Sequence, residues 1–198
     1  MSEITPEPVA KIKVTSKELF TALLNKFNLV AAVLSEVTMT DEEEAYRVRS
    51  AIAQRDKYFK KWLDDKGESY DLNMEFPDGY DTNKAIVTRR IDALIFESQQ
   101  ITAVEIKISR SDFFRDTLAK RSAWVKHTNR FAYLTPKGLV KIEEVPAGCA
   151  LWEYENGKIT IVKRAKVNKE PADFPQSMIK YFAWRAFSAE NKLGYKRR

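Results

Sequence analysis

Apolar positions recur along this chain with two different periods. Leu19, Phe20, Leu23, Leu24 and Phe27 fall at helical spacing and predict an amphipathic helix. It opens at Thr15, because Thr15 and Glu18 form the capping-box pattern, in which each side chain satisfies a backbone N–H of the first turn. Leu29 to Met39 reads as the first strand. Ala45, Val48, Ile52, Phe59, Trp62 and Leu63 return to helical spacing. They predict a long helix from Thr40 to Lys66, capped by Thr40 and Glu43, with acids at its positive end and Gly67 as its stop. From Arg89 to Phe96, and again from Ile101 to Ile108, the period falls to two, which is that of a strand. Glu-Ser-Gln-Gln at 97–100 joins the two strands as a turn.

A helix is expected next, capped by Ser109 or Ser111, with Asp112 and Asp116 in its first turns and Phe113 and Leu118 packed inward. Phe131 to Leu134 is an apolar run suited to a buried strand. Asn156-Gly157, between apolar runs at 150–154 and 158–162, signals a hairpin. Pro171 and Pro175 bracket a linker to a final helix, 176–190, whose Met178, Ile179, Phe182, Ala183, Ala186 and Phe187 form an apolar face for docking on the core. The predicted fold is α/β, with a mixed central sheet flanked by helices.

Composition narrows the picture. At 198 residues one domain is expected over 1–198, with 41–84 as a helical insertion and 171–198 as a C-terminal helix and basic tail. Hydrophobic residues make up 44% and charged residues 31%, enough apolar content for a packed core in a soluble protein. No apolar run is long enough to span a bilayer, so no membrane partner is expected. The N-terminus lacks the pattern of a signal peptide, and a cytoplasmic location is expected. The single cysteine, Cys149, excludes an internal disulfide and a cysteine-based zinc site; it reads as a small core side chain. His127, the one histidine, reads as structural. A net charge of +6 fits a polyanionic partner.

The candidate chemistry lies on the central hairpin. Val104, Ile106 and Ile108 share one strand face, and Glu105 and Lys107 share the other. Asp92 stands on the strand before. Mg²⁺ prefers oxygen ligands and keeps several waters, so carboxylates from adjacent strands suit it. Bound there, it polarises a phosphate and acidifies water. A lysine on the same face can orient the attacking water or neutralise charge in the transition state. Asp92 with Glu105-Ile106-Lys107 thus points to metal-assisted phosphodiester hydrolysis. Arg89 and Arg90 are placed for one to meet a phosphate and the other a carboxylate. A helix start near Ser109, Arg110 and Ser111 offers N–H groups to an anion. Lys120, Arg121, Lys126, His127 and Arg130 surround Trp124, a basic and aromatic mixture that suits a DNA surface.

These residues resemble the PD-(D/E)xK nuclease superfamily, and more closely its MmcB-like branch of DNA-repair proteins and their phage relatives. The resemblance rests on Arg89-Arg90-Ile91-Asp92 and on the run from Val104 through Glu105, Lys107, Ser109, Asp112 and Phe113 to Asp116. It continues to Val145-Pro146-Ala147-Gly148 and covers roughly residues 84–167. The segment before Arg89 is longer than the branch's pattern. The resemblance implies a restriction-endonuclease-like core. It also implies a Mg²⁺ (or Mn²⁺) site formed by Asp92, Glu105 and the backbone carbonyl of Ile106, with Lys107 positioning water and Glu36 as a supporting acid. The implied activity is that of a DNA nuclease in repair, recombination or phage DNA metabolism, inside a bacterial or phage-infected cell. A homodimer fits paired cuts in duplex DNA. A non-catalytic DNA- or partner-binding module on the same fold is the alternative.

Overall fold

The computed structural model describes residues 14–66, 80–81 and 86–192. Most of the expected lead-in, most of the loop over 68–84 and the tail from 193 lie outside the described residues. The fold is α/β. Strands β1 (Ala32–Thr40), β3 (Ile86–Phe96), β4 (Ile101–Ile106), β5 (Arg130–Pro136), β6 (Ala150–Glu155) and β7 (Lys158–Lys163) lie side by side in that order, and the two-residue β2 (Tyr80–Asp81) pairs with β3. The β1–β3, β3–β4 and β6–β7 pairs are antiparallel, while β4–β5 and β5–β6 are parallel. The sheet is therefore mixed, and both faces are covered.

One face packs against α1 (Ser16–Phe27). Leu19 and Leu23 meet Ala93, Ile95, Val104, Ile106, Ala132 and Leu134 in a buried cluster, and Phe27 stacks on Trp152 at 5.8 Å. The Thr15–Glu18 capping box forms as the spacing predicts. The other face packs against α3 (Arg110–Phe114), α4 (Leu118–His127) and the start of α5 (Gln176–Lys192), through Phe113, Ala123, Trp124 and Met178. Cys149 is buried in this second cluster. Asn156 and Gly157 both take positive φ, as a two-residue hairpin turn requires.

Several elements differ from the sequence reading. β1 begins at Ala32, because Leu29 turns to φ +68° and stands 97% exposed after α1. Thr40 is the last residue of β1, paired with Thr88, so it does not cap the next helix. Asp41 caps α2 (Glu42–Lys66): its carboxylate accepts from the Glu44 N–H at 3.1 Å and its carbonyl from the Ala45 N–H at 2.9 Å. α2 follows β1 and packs through Ala45 and Val48 on Val87 of β3.

The helix expected after Lys107 is two helices. α3 is a single turn, and α4 restarts after Asp116 with Thr117 as its cap. Leu118 is 71% exposed and does not pack inward. α5 docks by Met178, Phe182 and Arg185. Phe182 meets Phe96 edge-on at 5.4 Å, and Arg185 donates to the Ser35 carbonyl. That rotation turns Ile179, Ala183 and Ala186 out to solvent and leaves Phe187 nearly half exposed.

Candidate functional site

The site forms where β3 and β4 part. Their ladder runs from Phe96–Ile101 to Ala93–Val104. One step further, the Ile106 N–H donates to the Asp92 carboxylate at 2.7 Å. A side chain takes a bond that a backbone carbonyl would take in a continuing ladder, and the strands splay. β4 stays attached on its other side, where the Lys107 N–H donates to the Leu134 carbonyl at 3.0 Å. Strand alternation behaves as predicted up to this point. Val104 and Ile106 enter the core against α1, and Glu105 and Lys107 project from the opposite face. β4 ends at Ile106, so Ile108 leaves the core and is 40% exposed.

Alternation breaks at Glu36 and Asp92. Leu34 and Val37 both pack in the second core cluster, as do Leu94 and Ile91, three residues apart where a regular strand has two. The pairs Ser35–Ala93 and Val37–Ile91 flank the break. Glu36 absorbs it with φ +48°, a conformation that costs a non-glycine residue about 1 kcal/mol or more. Glu36 stays at the rim, ion-paired with Arg90 at 3.2 Å. Its charge still reaches Asp92 and helps raise that carboxyl's pKa.

The cleft behind this break has a volume of about 590 Å³, bounded by Thr88 to Asp92 of β3, Glu105, Lys107, Phe131 and a wall from Asp112 to Trp124. Lys107 Nζ lies 2.9 Å from Glu105 Oε1 and 3.6 Å from Asp112 Oδ2. Burial pushes the Glu105 carboxyl up to about 7, and the neighbouring Asp92 charge adds to the effect. Burial likewise raises Asp92, against the Ile106 N–H, which favours its ionised form. Burial alone would lower Lys107, but Glu105, Asp112 and Asp116 outweigh it and hold the ammonium protonated. Two buried acids with raised proton affinity beside a charged lysine make a site where a further cation would favour the ionised carboxylates.

Other predicted residues are placed differently. Arg89 is buried and paired with Asp41 at 3.2 Å, and Arg90 pairs with Glu36; both arginines meet carboxylates, although both line the cleft. Ile106 joins the site through its N–H. Ser109 caps α3 by accepting from the Asp112 N–H, and Ser111 lies 3.1 Å from Ser109 Oγ. Arg110 is clamped by Glu144 and the Leu139 carbonyl, over the Phe114 ring. Lys126 pairs with Glu43, and Arg130 stands at the start of β5; neither lines the cleft. Trp124 is core rather than surface, at 1% exposure. His127 stacks on Phe174 at 5.5 Å and is structural.

Sequence reasoning missed a buried network behind Glu105. Tyr133 pairs with Glu105 across the parallel strands. Its hydroxyl donates to Asp116, and Arg121 donates to the same carboxylate at 2.9 Å and to Tyr133 Oη at 3.3 Å. The run from Asp112 to Asp116 was visible, but the break that turns Asp116 inward was not. Among the described residues, no three His, Cys, Asp or Glu side chains stand close enough together to hold a metal ion by themselves. Asp92 and Glu105 form a two-carboxylate donor set. That set suits a hard cation that keeps most of its waters, and not a fully dehydrated cage.

Comparison with known proteins adds no function. No family model matches this chain, and no curated protein matches it. Among solved structures it is similar to a protein of unknown function from Silicibacter pomeroyi, with 24% identity, a TM-score of 0.40, and coverage of 52% of this chain and 68% of that one.

Proposed function

We propose that this chain is a divalent-metal-dependent nuclease that hydrolyses DNA phosphodiester bonds, in repair, recombination or phage DNA metabolism. The observation that carries the reading is the convergence of Asp92, Glu105 and Lys107 where β3 and β4 separate into an open cleft. Six cationic side chains and four carboxylates line that cleft, a balance that suits a phosphate backbone. Mg²⁺ or Mn²⁺ held by Asp92 and Glu105 would supply a Lewis acid for the phosphate and acidify a water. Lys107 is fixed between Glu105 and Asp112 and offers a permanent positive charge to the developing phosphorane oxygens. Glu36, at the rim beside Asp92, supports the acidic end of the cleft. A homodimer would supply two clefts for paired cuts in duplex DNA.

The test is cleavage of single-stranded, duplex, flap and branched DNA in Mg²⁺, Mn²⁺ or EDTA by the parent and by Lys107→Ala. Cleavage abolished by EDTA and by the substitution is expected. A second readout is thermal: Mn²⁺ should raise the Tm of the parent and leave Glu105→Gln unmoved. A second reading, a binding module without catalysis, has one observation in its favour. Glu36 is engaged by Arg90, so the donor set for a metal is reduced to Asp92 and Glu105. Absence of cleavage in either metal, together with tight DNA binding that survives Lys107→Ala, would select that reading.

A further inference from the structure

Along its α3–α4 wall, the cleft carries hydrogen-bond donors beside a carboxylate, Asp116, that is already engaged. Arg121 lines the cleft and is largely buried, with its side chain 13% exposed. It is held by Nη1 alone, which donates to Asp116 Oδ2 at 2.9 Å and to Tyr133 Oη at 3.3 Å. Among the described residues, its Nε and Nη2 make no hydrogen bond. Asp116 Oδ2 is committed twice, to Tyr133 and to Arg121. One turn further along α4, the indole Nε1 of Trp124 is buried without a partner among the described residues, and Trp124 lines the same cleft. Arg115, 77% exposed and 3.6 Å from the Asp112 carboxylate, and Lys120 lie on the same wall of the cleft.

This wall fits a ligand that only accepts. A guanidinium locked at one nitrogen has given up most of its rotamer freedom before anything binds, and its remaining N–H groups match two oxygens of a phosphate. An arginine tethered to a strand neighbour of Glu105 also keeps a fixed distance from the carboxylate end, because Tyr133 is the residue paired with Glu105. We propose that Arg121, with Arg115 and Lys120 at the rim, is a second phosphate subsite. It would take a phosphodiester of the same DNA strand, adjacent to the one that meets Asp92 and Glu105. The subsite rests on the nuclease reading for the identity of its ligand, and on Arg121 for its geometry. It makes the preferred substrate a strand of at least three nucleotides rather than a dinucleotide.

The experiment measures binding of the full chain, in EDTA, to a fluorescent single-stranded oligonucleotide over a range of salt concentrations. Inorganic phosphate is titrated separately. Variants are Arg121→Lys, which keeps the charge and loses the fork, and the exposed pair Arg115→Ala/Lys120→Ala, which leaves the buried network alone. Arg121→Lys should weaken oligonucleotide binding about tenfold, with an unchanged melting curve confirming the fold. The double variant should reduce the slope of log affinity against log salt by about 0.7 for each phosphate that is no longer neutralised. Unchanged affinity and slope in both variants would overturn the subsite. Binding of inorganic phosphate with no binding of the oligonucleotide would overturn its assignment to DNA. These outcomes are separable from the nuclease test. Cleavage that depends on Lys107, with binding indifferent to Arg121, removes only the subsite. Binding that depends on Arg121, with no cleavage by the parent, removes only the nuclease.

Discussion

Glu105 carries the sharpest residue-scale consequence. Its carboxyl titrates near 7 in the folded chain, above its ordinary value of about 4.3. Between those values the folded state binds more protons than the unfolded one, so stability falls as pH rises through that window. The loss is about 4 kcal/mol at most and is complete by about pH 8. Glu105→Gln removes the titration. In EDTA, the variant is expected to gain stability over the parent between pH 5 and pH 8, as read by urea midpoints. A parent-to-variant difference that stays constant with pH would contradict the burial argument. Glu36 gives a second residue-scale prediction. Its positive φ is easier for glycine than for a residue with a Cβ. Glu36→Gly should therefore be more stable than Glu36→Ala by about 1 kcal/mol, although both lose the same carboxylate. Equal unfolding midpoints would show that the backbone relaxes on substitution. Neither the φ value nor the burial of Glu105 could be read from residue order, because both arise where two strands diverge.

At the scale of elements, Asp41 ties α2 to β3. It caps α2, donates its backbone N–H to the Val87 carbonyl of β3 at 2.8 Å, and pairs with the buried Arg89. Asp41→Asn keeps a capping oxygen, while Asp41→Ala loses the cap as well. Losing a cap costs about 1 kcal/mol. Removing one partner of a buried pair costs about 3–5 kcal/mol. Asp41→Asn is thus expected to show most of the loss, and Asp41→Ala about 1 kcal/mol more, in chemical denaturation. If Asp41→Asn matches the parent, the ion pair contributes little and the cap is the main role. Element boundaries were legible where a local signal had no competitor. The Thr15–Glu18 box and the Asn156-Gly157 turn are examples. They shifted where backbone groups had a second use. Thr40 has capping chemistry, but its backbone belongs to the ladder with Thr88, so the cap passed to Asp41. Asp116 stands within a helical run, but its bonds to Tyr133 and Arg121 hold it out of the helix.

For the whole molecule, charge is the governing quantity. The chain carries +6 overall, yet many of its cations are tied to acids on their own surface, as with Lys126–Glu43, Arg110–Glu144 and Lys137–Glu155. The cleft is where cations outnumber carboxylates beside a large concave surface. A divalent ion at Asp92 and Glu105 would add to that field. DNA affinity of Lys107→Ala, which keeps the cleft and is expected not to cleave, should therefore be higher in Mg²⁺ than in EDTA at matched ionic strength. Equal or weaker binding in Mg²⁺ would place the ion elsewhere or nowhere on this surface.

The sequence by itself determined the periodicities, and through them the sheet, the helix α1 that packs on it, and the assignment of Glu105 and Lys107 to the face opposite Val104 and Ile106. Those follow from local rules, since alternation along a strand and spacing along a helix depend only on residue order. Tertiary structure decided which basic residues face the cleft. On α4, Lys126 was drawn away from it and Arg121 was brought in, because the break between α3 and α4 resets the helical phase by an amount that no local pattern encodes, while Arg130 left it with the start of β5. It also decided that Asp92 closes the ladder with its side chain. That depends on where two strands stop pairing, and strand divergence is set by what packs above and below them.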